Sequence, residues 1–181
     1  MELKPQDLLV AIKVFTLGNS SWSQRLLSQT LGMSVSEINS ALKRATMARL
    51  LCKLPTVPNK YTAVPESLYE YLVHGAKYSF PANRGTLTRG VPTGMINPHS
   101  TNFSEIGVED ILVWPSPNGK KRGIGIEPLF PSVPDLVGRK ENQQMYTLLA
   151  LFDLIRIGRN REKTVAVKRL SELFLGNSKN D

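Results

Sequence analysis

The chain has 181 residues, 41% hydrophobic and 21% charged, which bounds it to one large or two small globular domains. No apolar run approaches the roughly 18 residues a membrane span needs, and the opening MELKPQDLLVAIKVF lacks the basic region and cleavage site of a signal peptide. With the single Cys52 excluding an internal disulfide, a cytoplasmic protein is expected. A net charge of +8 favours an anionic partner, nucleic acid first. The excess is spread along the chain: 8 basic against 5 acidic groups over residues 1–74, 6 against 3 over 75–125, and 9 against 7 over 126–181. A binding face must therefore be assembled by folding.

The first informative stretch is LGMSVSEINSALKRA, residues 31–45. Leu27, Leu31, Met33, Ile38, Ala41 and Leu42 are spaced around Gly32 as two short helices meeting at a steep angle require, with the glycine in the turn. Ser28 falls where the two helices approach closely and a small residue is needed. Ser34 and Glu37 form a capping box at the second helix, with Ser36 a competing cap. Ile38, Leu42 and Ala45 point inward. Val35, Ser36, Asn39, Ser40 and Lys43 face outward, with Arg44 at the edge. Asparagine pairs with adenine edges, serine reaches a base or a phosphate, and lysine or arginine holds phosphates. Helical hairpins with a glycine also occur in proteins that bind no DNA.

Over about residues 3–64 the chain resembles the winged helix-turn-helix family of bacterial transcription regulators, of the MarR-like kind. In that resemblance Leu8, Leu9, Ile12 and Phe15 form the inner stripe of a supporting first helix, and WSQRLLSQTLGMSVSEINSALKRATMARLL supplies the two motif helices. LCKLPTVPNKYTAV looks like two wing strands with PTVPN at the tip. The resemblance implies a recognition helix in the major groove of double-stranded DNA and wing contacts from Lys53, Asn59 and Lys60. Arg25 and Ser34 complete the expected contacts. A homodimer would set two such helices about 34 Å apart on a palindromic site, the arrangement expected of a repressor.

PESLYEYLVHGAK reads as a helix from Pro65 with Leu68 and Leu72 inward and Gly75 as its stop, closing an N-terminal domain at 1–75. His74 is better placed to complement the helix end than to bind metal. Residues 76–109 are rich in glycine and proline yet too apolar for a flexible linker, so an ordered extended connection is expected. Within it Arg84 and Arg89, each followed by glycine, are candidates for phosphate contacts or plain surface arginines in turns. DILVWPSPNGKKRGIGIEPL, with Asn118-Gly119 between two apolar runs, predicts a β-hairpin. Lys120, Lys121 and Arg122 form the densest basic cluster, either a phosphate clamp or a solubilised hairpin end.

The last third predicts a helical hairpin. Met145, Leu148, Leu149, Phe152 and Ile155 line one helix and Ala166, Leu170, Leu173 and Phe174 the next, with Gly158 between them. The pair would pack on the β-hairpin or on a second copy. Arg156, Arg159 and Arg161 flank the turn, where they would cap carbonyls, stay solvated, or meet an acidic partner protein. PLFPSVPDLVG and LLALFDLIRIGRNRE are loosely similar to two-part regulators of bacterial defence and toxin–antitoxin systems, which implies an alternative role as an antitoxin or adaptor acting through this helical pair. The expected fold is thus α+β: a winged helix-turn-helix over 1–75, a connection over 76–109, a smaller β-hairpin and helical-hairpin part over 110–175, and a frayed tail over 176–181. No metalloprotease, paired-cysteine, Walker or nucleophile-elbow motif is present, and two histidines with one cysteine do not suggest zinc, so neither an enzyme nor a cofactor or metal site is expected.

Overall fold

The computed structural model describes residues 2–55, 60–95 and 111–176. The fold is α+β, in the chain order helices, a two-stranded sheet, a helix, a three-stranded barrel and a helical hairpin.

Helix α1 (Pro5–Leu17) starts with proline at its first turn, and the Lys4 N–H donates to the Asp7 carboxylate at 2.8 Å. It is buried on all sides rather than along one stripe: Val10, Ala11, Lys13 and Val14 are enclosed together with Leu8, Leu9 and Ile12. Helix α2 (Gln24–Leu31) is capped by Ser23, whose hydroxyl accepts from the Leu26 N–H. Gly32 then turns the chain at φ +66°, a region costly for any side chain with a β-carbon. The Ser28 hydroxyl spans this turn, donating to the Met33 carbonyl at 2.6 Å. Helix α3 (Val35–Met47) opens with the expected capping box, in which the Glu37 N–H donates to the Ser34 hydroxyl and the Ser34 N–H to the Glu37 carboxylate. Those bonds from Ser34 also hold the Glu37 carboxyl below its ordinary range. At its far end the Leu50 N–H returns to the Ala45 carbonyl and the Arg49 N–H to that of Thr46, with Arg49 at φ +60°. This is a Schellman closure with arginine where glycine is usual.

Strands β1 (Leu51–Lys53) and β2 (Tyr61–Ala63) pair antiparallel, Lys53 opposite Tyr61. Helix α4 (Pro65–Glu70) does not stop at Gly75: a π-helical turn over Tyr71–Gly75 carries it into α5 (Ala76–Ser79). One contiguous apolar cluster runs from Leu8 in α1 to Phe174 near the other end of the chain, so the core is continuous across residue 75.

The central part departs most from expectation. Residues Arg84–Thr93, expected as a mere connection, form the ten-residue strand β3. β4 (Leu112–Pro115) and β5 (Lys121–Ile126) both pair antiparallel with β3, and they run parallel to one another. The three close into a barrel, so Asn118-Gly119 is not the turn of a hairpin. Chain crossing explains this: a β-carbon on Gly119 would fall on the backbone of Gly90, so the loop after β4 passes directly over β3.

After a short helix α6 (Val133–Leu136), α7 (Gln143–Ile157) and α8 (Asn160–Leu175) form the expected helical hairpin. It packs largely on the N-terminal helices: α7 lies on α1 and β3, α8 on α4, and the Phe174 ring stacks on Phe15 with centroids 4.2 Å apart. Lys13 ties the halves together, its Nζ donating to the Asn142 side-chain oxygen at 2.7 Å and to the Glu141 carbonyl at 3.0 Å.

Asp153 on α7 anchors the barrel. Its Oδ2 accepts from Thr93 on β3 and from the Trp114 indole on β4, each at 2.7 Å, and its Oδ1 accepts from Arg156. Burial pushes the Asp153 carboxyl up, against the pull of Arg156, Thr93 and Trp114.

Candidate nucleic-acid interface

The start of α2, the outer face of α3 and the β1–β2 pair meet in an open concavity lined by Trp22, Ser23, Gln24, Asn39, Lys43, Lys53 and Tyr61. Each element is held there by a local cause. Ser23 begins α2, the Gly32 turn swings α3 across it, and the Schellman closure at Arg49 sends the chain straight into β1. Asn39 and Lys43 stand four residues apart, hence one above the other on a helix. Lys53 enters from the neighbouring strand. Two lysines and two amides, those of Gln24 and Asn39, thus line one polar groove together with the buried Tyr61.

The structure sorts the expected contacts. Val35, Ser36 and Ser40 are exposed on α3 but outside the groove, as is Arg25 on α2. The Ser34 hydroxyl is engaged in the capping box, where it also bonds the Glu37 carboxylate at 2.7 Å. Lys60 is half-buried, its carbonyl accepting from the Leu54 N–H. Asn59 lies outside the described residues.

Arg44 is a correction. Its Nε and Nη2 both donate to the Asp7 carboxylate at 2.7 Å, and its side chain is only 15% exposed. The helix edge that looked outward in projection is covered by α1, and this guanidinium is a bolt between α1 and α3 rather than a phosphate contact. The bond with Asp7 also holds it more firmly protonated than usual.

Trp22, Ser23, Gln24 and Tyr61 were not singled out from the sequence as parts of this face. Ser23, followed by the apolar spacing of α2, carries a readable cap signal. Trp22 and Tyr61 enter only because the groove brings together segments some 40 residues apart.

The remaining basic residues stand elsewhere. Arg84 is at one end of β3 opposite Ile126, whereas Arg89 lies directly opposite Arg122 towards the other end. Lys120, Lys121 and Arg122 are exposed at the start of β5, not at a hairpin tip. Arg156 is a second correction: its side chain is 3% exposed and donates to Asp153 and to the Phe80, Pro81 and Glu127 carbonyls. Arg159 and Arg161, at the start of α8, are exposed.

Among the described residues, no three His, Cys, Asp or Glu side chains converge to hold a metal ion, and no helix is long and apolar enough to cross a membrane. In comparisons with protein families, curated proteins and solved structures, none matches the chain.

Proposed function

We propose that the chain binds double-stranded DNA as a transcription regulator, acting as a homodimeric repressor through a winged helix-turn-helix. In this reading α2 and α3 are the motif helices, β1 and β2 the wing, and α1 the support. The observation that carries it is the convergence of Asn39, Lys43 and Lys53 on one groove with no acidic side chain in its lining among the described residues. Asn39 would meet a base edge in the major groove, and Lys43 and Lys53 the flanking phosphates. Glu37, the acid on α3, accepts from Ser34 at the start of the helix and lies outside the groove lining.

The test is fluorescence anisotropy against the DNA upstream of the chain's own reading frame and a scrambled duplex, at about 50 and 200 mM salt. Salt-sensitive binding that prefers the native duplex is expected. Asn39→Ala should cost about 1–3 kcal/mol on the native duplex and little on the scrambled one. Equal binding to both, or equal losses on both, would refute base reading by α3.

A further inference from the structure

Arg89 on β3 and Arg122 on β5 are register partners in an antiparallel ladder, and both are exposed. Directly opposed residues share one face of a sheet with their β-carbons about 5 Å apart, and like charges in that position are destabilising. Among the described residues neither guanidinium has a carboxylate partner. Two residues along the ladder Leu87, 45% exposed, faces Ile124, which is partly buried against the core, so the arginine pair stands open to solvent beside the core's margin. Lys120 extends the positive face at the adjoining loop. The pair is also rigidly mounted. Gly119 passes over Gly90 backbone to backbone, the Ser116 N–H donates to the Arg89 carbonyl, and Asp153 fixes β3 and β4 to α7.

A repulsive pair held on a rigid frame is stabilised by an anion that bridges it. From this register we infer that the barrel carries a second phosphate-binding face, Arg89–Arg122 with Lys120, that grips a nucleic-acid backbone separately from the α3 groove. Guanidinium groups offer paired donors that match phosphate oxygens. The choice of a nucleic acid as the source of the phosphates rests on the function proposed above; the anion site itself does not. The two faces share no residue: the groove is lined from the start of α2, from α3 and from the β1–β2 pair, whereas the arginine pair stands on β3 and β5.

The decisive variant is Arg122→Glu, which pairs with Arg89 across the ladder and removes the anion site while improving the sheet. The full chain would be titrated with a random-sequence duplex of about 30 base pairs over a salt series, alongside thermal melting. For Arg122→Glu we expect a melting temperature at or above wild type, weaker binding, and a slope of log K against log salt shallower by about one to two units, at ~0.9 for each phosphate no longer held. Arg89→Thr/Arg122→Thr should shift the slope likewise, and serves if the first variant fails to fold. An unchanged slope in both variants overturns the inference. So does a poly-glutamate peptide of equal charge that binds as tightly as the duplex, since the face would then be selecting carboxylates. Asn39→Ala/Lys43→Ala separates this inference from the α3 reading: loss confined to that variant leaves α3 standing and overturns the barrel site, and loss confined to the arginine variants does the reverse.

Discussion

Asp7 and Arg44 form a two-point ion pair between α1 and α3, with both donor distances at 2.7 Å and the Asp7 side chain fully buried. Because the Lys4 N–H shares the same carboxylate, one group both caps the start of α1 and ties α3 to it. Removing either partner strands a buried charge. Arg44→Ala should therefore cost about 3–5 kcal/mol of stability, measured by urea denaturation. A loss below about 1 kcal/mol, the range of exposed pairs, would show that the pair is solvated.

Arg49 holds the left-handed position that closes α3. A side chain there costs roughly 1–2 kcal/mol, part of which glycine would return as unfolded-chain entropy. Arg49→Gly should raise stability by about 0.5–1 kcal/mol, seen as a higher melting temperature. A lower one would mean that the Arg49 side chain makes a stabilising contact.

Lys13 is buried between α1 and the turn before α7, and burial lowers its pKa from 10.5 against the raising effect of Glu141. The folded chain therefore binds fewer protons than the unfolded one between the lowered value and 10.5. With more protons on the unfolded side, stability rises with pH through that window. The difference in unfolding free energy between wild type and Lys13→Met should move in favour of wild type as pH is raised towards 10.5. A constant difference would mean that Lys13 titrates alike in both states.

Asp153 unites Thr93, Trp114 and Arg156. Asp153→Ala would leave the Arg156 guanidinium buried without its carboxylate and two donors without an acceptor, a loss of about 3–5 kcal/mol. Trp114→Phe, which removes the indole N–H, should also destabilise, and on a double-mutant cycle its effect should largely vanish when Asp153 is already absent. Additive losses would show the two residues to be independent.

Lys43 and Lys53 line the α3 groove from a helix and a strand. If both hold phosphates, each change to alanine should flatten the salt dependence of duplex binding by about 0.9 in the log–log slope, on any sequence. A change for only one of them would remove the other element from the interface.

Features enforced by local bonds were legible in the chain alone. The Ser34–Glu37 box, the Gly32 turn, Pro65 at the head of α4 and the inward face of α8 all act over a few residues. Their partners are visible in the same short window. The groove's central pair, Asn39 and Lys43, was legible for that reason, since a four-residue step on a helix needs no tertiary information. Long-range packing set the rest. Helix α7 is enclosed on nearly all sides rather than along the one stripe its spacing predicts. Arg44 reads as a surface residue because its acceptor, Asp7, lies 37 residues away, and Arg156 does because the carbonyls of Phe80, Pro81 and Glu127 that enclose it beside Asp153 lie 76, 75 and 29 residues away. Asn118-Gly119 carried the chemistry of a hairpin turn, yet its glycine serves a crossing over Gly90 instead. β3 gave no alternating signal because the barrel leaves most of its first half exposed on both faces. The opposition of Arg89 to Arg122 likewise exists only in the strand register, set by backbone pairing between segments more than 30 residues apart.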